Sequence, residues 1–258
     1  MSEVGTGSIV DPMYTTGKFY TESKGARDAA FKIAELRKLI GPLCGKYNFR
    51  FNRAADIGCD TGQTTFLLRD MLRDLGFPQA QAVGYDLHPH VNEIQGDDST
   101  RFIQGDFCAT KEATFDLAIL LDVIEHVPAP ADFMRQVANK ARWVALHIPL
   151  DNTWLNSLRN QSAKKLDYPG HLVILDIPSA INLVTLSGLR VVAYNIDPAF
   201  RAPSGRATKM LKLMYPLRQL LHAISPFLLQ RTLGGVCLTV LARSPIDMEA
   251  GQASAASG

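Results

Sequence analysis

Short apolar runs alternate along this chain with longer stretches in which apolar residues return every three or four positions. The runs Ala54 to Ile57, Gln81 to Tyr85, Arg101 to Gln104, Phe115 to Leu121, Trp143 to Ile148, Arg190 to Ile196 and Val236 to Ala242 read as strands. Between them Gln63 to Leu75, Pro89 to Gln95, Ala131 to Lys140 and Pro178 to Ser187 read as helices, and a leading helix over Ala26 to Ile40 stops at Gly41-Pro42. Such alternation builds βαβ units, so the expected fold is α/β, a doubly wound and mostly parallel sheet with helices on both faces. No Pro/Gly/Ser linker interrupts Gly41 to Ile246 and no internal repeat is found, so 26–246 is expected to form a single domain. Residues 1–25, polar with scattered aromatics, read as a flexible arm, and 247–258, rich in Gly, Ala and Ser, as a disordered tail.

Polar chemistry collects where the expected strands end. Asp56-Ile57-Gly58-Cys59-Asp60-Thr61-Gly62 follows the first strand and opens a helix, a turn in which backbone can approach a ligand closely and helix N–H groups face it. Its Gly58-x-x-x-Gly62 spacing is not the G-x-G-x-x-G turn that holds a pyrophosphate, which disfavours a nicotinamide cofactor. The second strand ends in Gly84-Tyr85-Asp86-Leu87, and a carboxylate there can accept both hydroxyls of a ribose. The third ends in Gln104-Gly105-Asp106-Phe107, an acid and a ring suited to an adenine amine and a purine face, although a Phe at a strand end more often belongs to the core. The fourth, Phe115 to Leu121, runs into Asp122-Val123-Ile124-Glu125-His126. Ligands of open parallel sheets bind at the carboxyl ends of the strands, so these elements are expected to share one crevice.

In this order the motifs resemble the class I S-adenosylmethionine-dependent methyltransferases, in particular the small-molecule branch whose fourth strand reads as an aspartate, an apolar run and Glu-His. The similarity covers roughly Ala54 to Ala242. It implies a Rossmann-like, seven-stranded sheet with the last strand antiparallel at the sheet edge, assigned to Gly235 to Ala242. It also implies S-adenosyl-L-methionine as cofactor, held by Asp56, Gly58, Cys59, Gly62, Asp86, Leu87, Asp106, Phe107 and Asp122. No metal is expected. One departure is Asp60, which stands where the family usually has glycine and requires an aspartate in a left-handed conformation. Another is Lys140-Ala141-Arg142-Trp143 in place of a Gly-Gly turn, from which only a different loop is expected.

Methyl transfer from a sulfonium is an in-line displacement dominated by positioning, and a base is needed only for some acceptors. For a hydroxyl acceptor, His171 is the preferred base and His126 the second catalytic candidate, which could equally shape the pocket, while His147 reads as a buried strand residue. The stretch Pro149 to Tyr168 is placed to bind the acceptor, with Asp151, Asn152, Trp154, Asn156 and Arg159 suited to polyhydroxylated molecules unless Trp154 tucks into the core. Imidazoles are available and no Asn-Pro-Pro-Tyr type amine-methylating motif occurs, so the expected acceptor atom is oxygen, on a sugar or glycan, a phenol or a lipid-linked intermediate. The rivals are a catalytically silent scaffold of the same fold and a nicotinamide-dependent oxidoreductase.

Composition adds limits. The chain of 258 residues is 47% hydrophobic and 20% charged with a net charge of +2, which gives no reason to invoke a nucleic-acid partner. Its four cysteines form no C-x-x-C pair and no apolar run approaches a membrane span, so a reduced, cytoplasmic protein is expected. The charge is uneven, however: from Pro198 onward seven Lys or Arg face two acids, and none of those acids precedes Pro245. Within this segment Met210, Leu213, Met214, Leu217, Leu220, Leu221 and Ile224 recur at helical spacing, with Pro216 expected to split the helix. Residues 200–234 therefore read as a basic amphipathic insertion or lid. The favoured reading packs it on the core or against a second copy in a homodimer, and the alternative lays 207–231 on the inner face of a membrane or over a lipid-linked substrate.

Overall fold

The computed structural model describes residues 24–112, 114–167 and 170–247. The arm expected over 1–25 and the tail over 247–258 lie outside them, apart from Lys24 and Gly25, which are helical, and Asp247, in a helical turn after the last strand.

Seven strands form one sheet: β1 (Arg53–Ile57), β2 (Gln81–Asp86), β3 (Thr100–Gln104), β4 (Phe115–Leu121), β5 (Ala141–Pro149), β6 (Arg190–Asp197) and β7 (Cys237–Arg243), in the order β3-β2-β1-β4-β5-β7-β6. Neighbours from β3 to β5 pair in parallel, and β7 runs antiparallel to both β5 and β6. The last strand is thus antiparallel as expected, but it is inserted between β5 and β6 and is not at the edge; β6 is. Burial explains the order. β7 is buried at every position but its last, whereas β6 leaves Arg190, Tyr194 and Asn195 exposed, as an edge strand can.

The two faces of the sheet divide the core by strand periodicity. In β4, Leu117, Ile119 and Leu121 point to one face, where they pack with Leu36 and Ile40 of α1 (Lys24–Ile40) and Leu68 and Leu72 of α2 (Gln63–Asp74). Ala118 and Leu120 point to the other, against Met134 and Val137 of α3 (Pro130–Ala138) and Ala180 and Val184 of α6 (Ile177–Leu186). After β5 come the short helices α4 (Trp154–Leu158) and α5 (Gln161–Asp167), and between β6 and β7 lie α7 (Lys209–Ile224) and α8 (Pro226–Thr232). Residues Pro89 to Gln95, expected as an α-helix, form a 3-10 helix over Pro89–Glu93.

The basic helix is not split at Pro216. That residue and Lys212, whose carbonyl its ring leaves without a donor, are both exposed, and α7 runs through them. The break falls at Ser225, whose N–H closes α7 on Leu221 O while its hydroxyl accepts from Leu228 N at 3.2 Å to start α8. The outer face of α7 is uncovered, with Met210, Leu213, Leu217, Leu220 and Ile224 all exposed. Packing on the core accounts for the other face alone.

Candidate active site

The strand order reverses between β1 and β4, where adjacent crossovers leave on opposite faces and open a crevice at the carboxyl ends. A crevice of about 490 Å3, its open mouth included, lies there, lined by Gly58, Cys59, Asp60, Thr61 and Thr64 from the β1–α2 turn, Leu121 and Asp122 from the end of β4, and Lys32 from α1. Its enclosed part measures about 140 Å3, smaller than a typical small-molecule pocket of roughly 300–1,000 Å3, and the rest is open mouth.

The turn is shaped by its glycines. Gly58 has φ 76°, and a Cβ on it would meet Val123 Cγ2 at 2.8 Å; Gly62, also at φ 76°, caps α2 against the Phe102 ring. Asp60 adopts the left-handed conformation at φ 47° and its N–H donates to Asp86 Oδ2 at 2.9 Å. His90 supports the same residue from outside, its Nε2 lying 2.8 Å from Asp60 O. Asp86, at the end of β2, also accepts from His88 N, so its carboxylate is fixed beside the turn. Leu87 follows it, half-buried, and its carbonyl accepts from Gln104 Nε2 at 3.5 Å.

Other sequence-derived candidates sit differently. Asp56 is buried, and its Oδ2 accepts from the hydroxyls of Thr64 and Thr65 at 2.6 and 2.7 Å, so it braces the first turn of α2. Burial pushes its carboxyl up to about 6 despite those donors. Asp106 caps a short 3-10 turn by accepting from Cys108 N at 2.8 Å. The stacking role read for Phe107 does not fit its placement: the ring is buried between Tyr85 and Phe115, 5.2 and 5.5 Å away between centroids. Trp154 is not tucked into the core; it is 64% exposed.

Asp122, half-buried at the crevice wall, joins a charge network that no motif announces. It stands at φ 61°, with Lys32 Nζ 2.8 Å from Oδ2 and His147 Nδ1 2.5 Å from Oδ1. Burial alone would raise its carboxyl, but Lys32 and His147 hold it far below the usual carboxylate range. His147 is buried as expected, and its Nε2 lies 4.0 Å from Asp197 Oδ2 with no hydrogen bond among the described residues. Lys32 was not expected at the site. Its only sequence signal is a cation bordering the apolar stripe of Ile33, Leu36 and Ile40, and its partner is ninety positions away.

Beyond β4 and β5 the structure brings His126 and His171 together, their rings edge to face at 4.9 Å. His126 Nδ1 is 3.1 Å from Gly170 O, and burial pulls its imidazole down to about 4, so it is neutral at pH 7. His171 Nδ1 is 2.9 Å from Asp151 Oδ2, and Lys165 pairs with the same oxygen. Burial opposes the charge of Asp151, yet these two partners hold its carboxyl below the ordinary value.

The crevice, its position in the sheet and the order of motifs find a counterpart among known families. A family model described as a methyltransferase domain matches residues 27–194. The chain belongs to this methyltransferase family. It is an enzyme that uses S-adenosylmethionine as methyl donor. The nicotinamide oxidoreductase is thereby set aside. Among curated proteins none matches the chain by sequence. Methyltransferases among solved structures share the fold: magnesium protoporphyrin IX methyltransferase from Synechocystis PCC 6803, solved with bound SAH, is 15% identical with a TM-score of 0.54, over 90% of this chain and 96% of that one. A putative sarcosine dimethylglycine methyltransferase from Galdieria sulphuraria is 15% identical with a TM-score of 0.55, over 89% and 96%. The mitomycin 7-O-methyltransferase MmcR is also 15% identical with a TM-score of 0.51, over 83% of this chain and 54% of that one.

The methyltransferase's own side chains fit its donor. The crevice offers carboxylates in Asp60 and Asp122, hydroxyls in Thr61 and Thr64, glycine-permitted close backbone and one cation, Lys32, among its lining residues, while Asp86 stands behind the turn and accepts from Asp60 N. Among the described residues no helix is long and apolar enough to cross a membrane.

Proposed function

We propose that this methyltransferase methylates a hydroxyl oxygen of an amphiphilic small molecule, a sugar, phenol or lipid-linked intermediate, with His171 as the base. In this reading Asp86 holds the ribose, the Gly58–Gly62 turn and Asp122 frame the methionine half, and Lys32 supplies the counter-charge for its carboxylate. Asp106 faces the adenine end. S-adenosylmethionine, when bound, supplies an electrophilic methyl group on a good leaving sulfur.

The observation that carries the acceptor assignment is the anchoring of His171. Its Nδ1–H donates to Asp151, which fixes the tautomer and leaves Nε2 as the proton acceptor. As the new C–O bond forms, the hydroxyl proton passes to Nε2, and the resulting imidazolium is stabilised by the Asp151 carboxylate 2.9 Å from Nδ1. His126, neutral and edge-on, orients this ring without competing for the proton.

The amphiphilic character rests on α7 and α8. Five exposed apolar side chains on α7 recur at intervals of three and four, and Phe227 and Leu228 of α8 extend the stripe. Gln230 of α8 donates to Asn152 O at 2.9 Å, which ties the stripe to the loop that carries Asp151. A second copy would bring Lys209 and Lys212 against a segment with no acidic residue, whereas an anionic lipid surface complements them.

The test is methyl transfer from radiolabelled S-adenosylmethionine to aqueous and organic fractions of a cell extract. An organic-phase product whose label resists alkali, as a methyl ether does, and a loss of roughly 10²-fold or more in kcat for His171→Gln are expected. Label released by alkali as methanol would mark a carboxylate acceptor and contradict the reading.

A further inference from the structure

We propose that Glu125, His126 and His171 form a binding site for a divalent first-row transition metal ion. One ligand atom from each lies within 4.8 Å of the other two. Bonds of about 2.0–2.2 Å to a common tetrahedral ion put such atoms roughly 3.3–3.6 Å apart, so the widest separation would close by up to about 1.5 Å on binding.

Glu125 is the decisive member. It is 1% exposed and neither carboxylate oxygen has a hydrogen-bond partner among the described residues. A carboxylate stripped of water and donors is costly, and it must take up either a proton or a cation. His126 Nε2 stands 3.8 Å from Glu125 Oε1, too far for a hydrogen bond and close to the separation of two atoms sharing one ion.

Both imidazoles are prepared as ligands. Each donates Nδ1–H to a fixed oxygen, His126 to Gly170 O and His171 to Asp151 Oδ2, the outer-sphere arrangement that orients a metal-binding histidine and raises its basicity. The frame is rigid as well: Leu172 N and Val173 N, immediately after His171, both donate to Glu125 O, at 2.7 and 3.2 Å. The nearby set of Asp122, His147 and Cys237 is different, because its carboxylate is already engaged by Lys32 and His147.

Two imidazoles and one carboxylate suit zinc, iron(II), cobalt(II) or manganese(II), whereas magnesium and calcium prefer all-oxygen shells. Three protein ligands leave positions open, and His126, its side chain 20% exposed, gives solvent access to them. One consequence rests on the acceptor reading above: a hydroxyl bound to the ion would lose its proton more readily, and His171 would then serve as a ligand in place of acting as base.

The experiment is a titration of chelator-treated, tag-free full chain with Co2+, followed by its visible absorption and by paramagnetically shifted imidazole N–H resonances. One equivalent bound, displaced by Zn2+ and unaffected by millimolar Mg2+, with two shifted imidazole N–H signals, is expected. Glu125→Gln and His171→Gln should each weaken binding by ~100-fold or more, and Asp151→Asn by roughly 10–100-fold. Absence of Co2+ bands, fewer than two imidazole signals, displacement by Mg2+, or affinity unchanged in folded variants would each overturn the site. Because metal binding is read directly, its outcome is separate from that of the methylation assay.

Discussion

At the residue scale, Asp197 shows what burial does to a charge. It sits at the end of β6, 1% exposed, accepting from the Thr239 hydroxyl, and burial pushes its carboxyl up to about 7. Unfolded, it titrates near 4. Between these values the folded chain holds a proton that the unfolded chain does not, so this group's contribution is full at low pH and is lost as pH rises through 7. The slope is at most about 1.4 kcal/mol per pH unit. We expect chemical denaturation of the wild type to lose stability between pH 5 and 7, and Asp197→Asn to remove this share of the loss; equal slopes in both proteins would contradict the assignment. Residues of this kind were the least legible in the sequence. The glycine turn and Asp86 could be read because they stand at strand ends in a recognisable order. Lys32 and Asp197 could not, since each acquires its meaning from partners brought near only by the sheet.

At the element scale, periodicity placed all seven strands and most helices to within a few residues, because each pattern reflects local burial. Neighbour relations were harder. The antiparallel sense of β7 was expected, but its place inside the sheet follows from burial on both faces, a signal present in the apolar Val236 to Ala242 run and outweighed by the expectation of an edge. Pro216 misled for a related reason: a proline breaks a helix most readily where its orphaned carbonyl is buried, and here Pro216 and Lys212 are both exposed. The exposed stripe on α7 yields a direct expectation. The double variant Leu213→Glu, Leu220→Glu should bind anionic vesicles at least ~10-fold more weakly at low salt while its stability stays within about 0.5 kcal/mol of wild type, as surface changes do. Equal co-sedimentation of both proteins would remove the lipid surface from the account, and a change in sedimentation from dimer to monomer would point to a second copy.

At the scale of the whole molecule, distant segments converge on one end of the sheet. Residues from α1, the β1–α2 turn and the end of β4 are far apart in sequence, and the reversal of strand order between β1 and β4 gathers them at one crevice, with Asp86 at the end of β2 bonded to the turn. The loops beyond β4 and β5 add two histidines and their carboxylate on the same end of the sheet, and α8 ties the apolar stripe to that loop. Donor crevice, histidine pair and amphipathic helix therefore follow one another along the carboxyl edge. The first of these supports the rest, and calorimetric titration with S-adenosylhomocysteine tests it most directly. We predict binding of one equivalent to the wild type and an affinity at least ~10-fold weaker, about 1.4 kcal/mol, for Asp86→Asn. No heat from the wild type, or equal affinity in a folded Asp86→Asn variant, would contradict the placement of the donor at these strand ends.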